Sequence, residues 1–169
     1  MSSGYASQGI PLIQYLSTNG DGSGTVNAVG NYSGAETIFY IQPPKGTVYI
    51  ISELLIHLAD STNFSIGGFG SRAALVNGVT VRARRNGVQL LDITGGQPIK
   101  TNPHLTHLTS RYALLDFPGG GNSITVAFHR DDFGVDLTLN GDLKDTLEAV
   151  LHDDFSSQDD FHFIAHGYY

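Results

Sequence analysis

Hydrophobic and polar residues alternate along much of the chain after residue 35, with the period of two that is typical of β-strands. The longest such run covers residues 47–59. Its apolar face is expected to hold Val48, Ile50, Leu54, Ile56 and Leu58. The opposite face is mixed, because it combines Glu53 and His57 with apolar neighbours. A strand of this kind suits a sheet that packs on a core and is partly covered on its other side.

Turn-forming residues divide the chain into short segments. Asn-Gly pairs occur at residues 77–78, 86–87 and 140–141, and this pair favours tight hairpin turns that need positive φ at both positions. The strands predicted between the turns are 36–42, 47–59, 79–84, 88–93, 111–117, 123–129, 135–139 and 161–168. This number of short strands predicts an all-β fold, an antiparallel β-sandwich over residues 36–169.

The segment 143–152 fits two patterns. Helical spacing relates Leu143, Leu147, Val150 and Leu151, whereas strand spacing relates Leu147, Ala149 and Leu151. Because its surroundings are rich in strands, we predict a strand.

The first 35 residues have a different composition, with many glycines and serines around sparse apolar residues and with Asp21 as their one charged side chain. Ordering a residue costs about 1–2 kcal/mol, and a buried aliphatic side chain returns about 1.5–3 kcal/mol, so this segment cannot fold alone. We expect an extended N-terminal arm over residues 1–35. It docks either on its own domain or on a neighbouring chain, and we favour the neighbour. The expected partner-binding residues are Ile10, Leu12, Ile13, Tyr15, Leu16, Val26, Val29 and Tyr32.

Charge and composition restrict the partners. Sixteen acidic against nine basic residues give a net charge of −7, which opposes binding to nucleic-acid phosphates. No apolar run approaches the length of about 18 residues that a membrane span needs, so we expect neither nucleic acid nor membrane as a partner. The chain has no cysteine, which excludes disulfides and thiolate sites.

Candidate metal ligands are weak. Acidic pairs at 131–132, 153–154 and 159–160 could contribute to a cation site, but such pairs in loops usually cap turns. His104 and His107 follow Pro103, which disfavours a helix that would align them. Residues 19–24 imitate the start of a calcium loop, but Gly30 stands where that loop needs glutamate. We predict no catalytic, cofactor or metal site.

One predicted strand carries a basic group, Arg82, Arg84 and Arg85. Charges on an edge strand can block unwanted pairing. Alternatively, these guanidinium groups could pair with an acidic loop of another subunit.

Four motifs along the chain support a family resemblance. They are LVNGV at residues 75–79, LDITGGQPIKTN at 91–102, LHDDF at 151–155 and FIAHGY at 163–168. In this order and spacing, over residues 36–169, they resemble a group of small proteins encoded among the virion genes of tailed phages and prophages. The resemblance implies a virion-associated, jelly-roll-like β-sandwich of the capsid decoration, or cement, type.

The expected function is therefore that of a non-enzymatic protein bound to the major capsid protein on the outer surface of a virion. The negative charge agrees with an exterior position, because packaged DNA would repel it inside the head. The mixed face of residues 47–59 and the basic strand predict self-association in a closed ring. We expect a homotrimer because of the capsid geometry that the resemblance implies. The alternatives are a carbohydrate- or receptor-binding component of a phage tail, which a groove with clustered tyrosines would favour, and a hydrolase, which needs converging acidic and histidine groups.

Overall fold

The computed structural model describes residues 9–20, 22–34, 36–60, 77–96, 98–99, 111–116, 122–129, 137–156, 158 and 160–169. Within these ranges the chain forms eleven β-strands and one 3₁₀ turn, Gly141–Leu143, and no α-helix. The strands are β1 Pro11–Thr18, β2 Ala28–Val29, β3 Thr37–Ile41, β4 Val48–Asp60, β5 Val79–Arg85, β6 Val88–Asp92, β7 Arg111–Asp116, β8 Asn122–His129, β9 Leu137–Asn140, β10 Asp145–Leu151 and β11 Asp160–Tyr168. The predicted all-β class is confirmed.

The strands form two antiparallel sheets. Sheet A has the order β1-β11-β4-β8-β7, and β9 pairs with the beginning of β4; sheet B has the order β2-β3-β10-β5-β6. Phe39 of sheet B and Phe161 of sheet A meet across the core, with ring centroids 4.4 Å apart and ring planes tilted by 36°. The molecule is thus a β-sandwich whose single core is made by the inward side chains of both sheets.

The segment that fits both helical and strand spacing is a strand. Residues 145–151 pair with β3 on one side and with β5 on the other. Leu147, Ala149, Val150 and Leu151 are buried, while Leu143 is exposed in the 3₁₀ turn. The strand fills the position between β3 and β5 and supplies hydrogen-bond partners to both, which a helix could not do.

Tight turns follow the sequence signal at one Asn-Gly pair and depart from it at another. Asn86 and Gly87 both have positive φ, 45° and 86°, and join β5 to β6 as predicted. Asn140 instead begins the 3₁₀ turn, and its side-chain oxygen accepts from the backbone N–H of Asp142 at 2.9 Å.

The alternation predicted for β4 is wrong in its first part. Val48 and Ile50 were expected in the core but are exposed, while Tyr49 and Ile51 are buried. The cause is a β-bulge: Glu53 faces His166 and Ile51 faces Gly167, so Ser52 is an extra residue between them. One extra residue reverses the side of every residue before it.

The N-terminal segment departs from the predicted arm. Residues 11–18 pair along their full length with β11 of the same chain, and residues 28–29 pair with β3. Leu12 and Leu16, expected to contact a partner, are only 4% exposed and belong to the core. The edge of β11 supplies the backbone partners that the segment lacks. Residues 11–18 and 28–29 therefore dock on their own domain, which is the less favoured of the two expectations.

Candidate functional site

The outer face of sheet A, hereafter the A face, brings together side chains from four strands. One row across the strands consists of Ile13, His166, Glu53 and His129. The next row consists of Tyr15, Ile164, Leu55 and Ala127. A third row consists of Ser17, His162, His57 and Thr125, and Pro11, Tyr168 and Ile50 form a row at the other end.

Aromatic rings stack between the second and third rows, from Tyr15 to the two histidines. The Tyr15 ring lies 5.4 Å from that of His162, and the His162 ring lies 5.6 Å from that of His57, with interplanar angles of 28° and 27°. The Tyr15 hydroxyl hydrogen-bonds His162 Nδ1, and the Thr125 hydroxyl lies 2.8 Å from His57 Nδ1. Four strands, β1, β11, β4 and β8, are thereby joined through their side chains as well as through their backbones.

This stack changes the titration of one member. Partial burial lowers the pKa of His57 below its usual value, and the nearby His162 lowers it further, while Asp160 opposes the shift. The lowered pKa favours the neutral form of His57. A hydroxyl beside an imidazole is also the arrangement of an activated nucleophile, but here the next neighbour of the imidazole is a second imidazole instead of a carboxylate.

Glu53 occupies the centre of the first row. Its carboxylate lies 3.0 Å from His166 Nδ1 and 3.6 Å from His129 Nδ1. No group of three or more histidine and carboxylate side chains is placed to hold a metal ion within the described part of the chain.

Large apolar side chains are exposed at one end of the A face. Ile13 is 69% exposed and Tyr15 54%, and Tyr168 and Ile50 lie in the neighbouring row at 48% and 44%. Because all four side chains stand on paired strands, their positions are fixed by the sheet. Exposed apolar groups gathered in this way mark contact surfaces in soluble proteins.

The remaining residues of the predicted arm are distributed differently. Ile10, Val26 and Val29 are exposed, whereas Tyr32 packs edge-on against Phe39 of the core. The eight residues predicted to bind a partner therefore do not form one surface. Only Ile13 and Tyr15 contribute to the exposed end of the A face.

The three arginines have partners within their own chain. Arg82 Nε lies 2.8 Å from Glu148 Oε2, and the Arg84 guanidinium lies 3.8 Å from the same oxygen. Arg85 makes a two-pronged contact with buried Asp145, at 2.8 and 2.9 Å. These intrachain contacts form because the register places the acids of β10 directly beside β5. An inter-subunit pair of these arginines stays a prediction.

The Asp145 site perturbs both of its ionisable groups. The hydrogen bonds from Arg85 lower the pKa of the Asp145 carboxyl, although its burial works in the opposite direction. The same hydrogen bonds raise the pKa of Arg85. The pair therefore holds its charges and joins β5 to β10.

The motifs that carry the resemblance build turns. Asp153 accepts from the backbone N–H groups of Asn77 and Gly78, at 3.0 and 2.7 Å, and so joins the first motif to the third. Asp92 accepts from the Thr94 hydroxyl at 2.7 Å and from the N–H of Gly96 at 2.9 Å.

The predicted turn-capping role of acidic pairs is confirmed at 153–154, since Asp154 also accepts from the N–H of Ser156 at 2.9 Å. His104, His107, Asp131, Asp132 and Asp159 lie outside the described residues.

Sequence reasoning did not find the A-face histidines as a group. The alternation of β4 and of β11 places Glu53 and His57 on one face, and His162 and His166 on another. No local pattern shows that these two strands, a hundred residues apart, are neighbours. The alternation within each strand could therefore be read from the sequence, but the pairing of β4 with β11 could not.

Within the described ranges, no helix has the length and apolar character needed to cross a membrane. Comparisons of the chain with protein-family models, with curated protein sequences and with solved structures find no significant similarity.

Proposed function

We propose that this chain is a structural protein of a virion, a decoration protein that binds the major capsid protein on the outer surface of the shell. The observation that carries the proposal is the exposed apolar end of the A face, formed by Ile13, Tyr15, Ile50 and Tyr168. The resemblance of the motifs at residues 75–168 to virion proteins of tailed phages supports it.

The A face suits attachment to another protein. Two of its exposed side chains are tyrosines, which supply large contact area with little loss of side-chain freedom and are enriched where binding energy concentrates. The neighbouring Ile164 and Leu55 are half-buried and continue the apolar surface. A standard interface of about 1,600 Å² is enough for useful affinity when many copies bind one shell.

The homotrimer belongs to the same proposal. A trimer presents three copies of the A face to a lattice, and each additional contact multiplies the apparent affinity. The net charge of −7 keeps the attached copies soluble and favours a position outside the packaged DNA.

The proposal is tested by cosedimentation with undecorated capsids of the source phage. Ile13→Asp should weaken the affinity for the capsid about a hundredfold, and so lower the occupancy, because a carboxylate forced into an apolar contact costs several kcal/mol. Val88→Asp is the matched control, since Val88 is 68% exposed, against 69% for Ile13, but lies on sheet B. Both variants should keep the thermal stability of the parent chain.

Equal occupancy for Ile13→Asp and the parent protein would contradict attachment through the A face. Loss of binding in Val88→Asp alone would move the attachment surface to sheet B. Failure of the parent protein to bind any capsid would contradict the decoration function itself.

A further inference from the structure

A second feature lies on the other sheet, at the edge formed by β2 and β3. It is an open cleft of about 780 Å³, bounded by the turn before β2, the loop after it and the outer side of β3. The volume is within the range of small-molecule sites. None of its lining residues belongs to the A face.

The lining is polar and uncharged over the residues that the structure describes. It presents the side-chain amides of Asn27 and Asn31 and the rings of Tyr32 and Tyr40. Hydroxyl groups come from Thr25, Ser33 and Ser156. A cleft with two tyrosines is the observation that favours carbohydrate binding among the alternatives weighed for this sequence.

The walls of the cleft are held in place. The Tyr32 hydroxyl lies 2.8 Å from the Thr25 hydroxyl, and the Tyr32 carbonyl accepts from the N–H of Phe155 at 2.8 Å. On the other side, the N–H of Tyr40 donates to the carbonyl of Asn27 at 3.0 Å. A ligand would therefore meet a preformed surface, which lowers the entropic cost of binding.

One amide is oriented by its neighbours. Asn31 Oδ1 accepts from both the N–H and the hydroxyl of Ser33, at 3.0 and 3.1 Å. Its oxygen is thus occupied, and its NH₂ group is the end that can donate to a ligand.

We propose that this cleft binds a neutral oligosaccharide. A charged ligand would lose hydration with no opposite charge in the described lining to replace it. A purely apolar ligand would cover the amides and leave them without partners. A sugar satisfies both conditions, because its C–H face packs on a tyrosine ring while its hydroxyls bond to amides and hydroxyls.

The test uses the full-length protein, fluorescently labelled, on an array of neutral, sialylated and sulfated glycans, followed by calorimetric titration of the neutral glycans bound. Tyr40→Ala removes a ring, and Asn27→Gly removes an amide. Asn27 has a φ of 52°, which glycine adopts without strain, so the second variant keeps the backbone. Tyr168→Ala, on the A face, is the control.

We expect neutral glycans to bind, with the affinity reduced about tenfold or more in Tyr40→Ala and Asn27→Gly and unchanged in Tyr168→Ala. Binding of sialylated or sulfated glycans alone would overturn the proposal, and so would the absence of neutral binding at millimolar concentration. Equal affinity in Asn27→Gly and the parent protein would also overturn it. Ile13→Asp should keep glycan binding, so this result is independent of capsid attachment.

Discussion

Asp145 shows how a single buried residue can join three parts of the fold. Its side chain is completely buried, and its two oxygens accept from the Arg85 guanidinium and from the N–H of Asn140 at 2.9 Å. A buried carboxylate is tolerated only when its oxygens have partners. Here the partners come from β5 and from the end of β9, so the start of β10 is fixed on both sides.

Two residues with lowered pKa values are expected to make stability fall in two steps on acidification. The pKa of His57 is lower in the folded chain than its unfolded value of about 6.5, so the unfolded state takes up the proton first. The contribution of His57 to stability is therefore complete above about pH 6.5 and declines as the pH falls below that value. The pKa of Asp145 is also lowered, so its contribution is complete above about pH 4 and is lost as the pH falls through its folded pKa.

Urea unfolding at about pH 8, 5 and 3, which bracket these two unfolded values, measures both steps. His57→Gln should remove the upper step and keep the lower one, and Asp145→Asn should do the reverse. Each variant is therefore the control for the other. If His57→Gln kept an upper step of the same size, that loss of stability would belong to another titrating group.

At the scale of elements, β4 illustrates where pattern reading succeeds and where it stops. The existence of the strand and the burial of Leu54, Ile56 and Leu58 follow from the alternation of the sequence. The reversal before Ser52 does not, because the bulge is imposed by the partner strand. Gly167 of β11 lies so close to β4 that a Cβ there would be 1.9 Å from the carbonyl oxygen of Ile50.

Gly167→Ala is accordingly expected to cost about 3 kcal/mol of stability, because the new methyl group overlaps backbone and the bulge must shift. Gly24→Ala is the comparison, since Gly24 has a φ of 72° but no atom within 4 Å of a Cβ. That change should cost about 1–2 kcal/mol from backbone strain alone. Equal losses in the two variants, measured by denaturant unfolding, would show that the bulge absorbs the methyl group.

At the scale of the whole molecule, the sequence predicts the class and most strands but misplaces the N-terminal segment. The composition of this segment shows that it cannot fold alone. It therefore needs the edge of a sheet to pair with, but its composition does not show which one. Which edge it meets depends on β11, at the opposite end of the chain. The exposed end of the A face was unpredictable for the same reason, because Ile13 and Tyr168 are brought close by that pairing.

A matched pair of substitutions tests whether β1 belongs to its own sandwich. Leu16→Ala should destabilise the chain by about 2–5 kcal/mol, because it leaves a cavity in the core. Ile13→Ala, three residues away on the exposed side, should change stability by about 0.5 kcal/mol or less. Thermal or urea unfolding of the isolated protein measures both, and a Leu16→Ala variant as stable as Ile13→Ala would place β1 outside the fold.

The pairing of β1 with β11 also sets an order of events during synthesis. Thr18 is paired with Phe161 and Pro11 with Tyr168, so the first strand made must wait for the last. At a translation rate of 5–20 residues per second, a separation of roughly 150 residues corresponds to a delay of about 8–30 s. Throughout that delay Leu12 and Leu16 have no core to enter, and a chaperone or a second nascent chain could reach them first. Closure of sheet A thus follows the synthesis of β11, and the apolar end of the A face exists only after it.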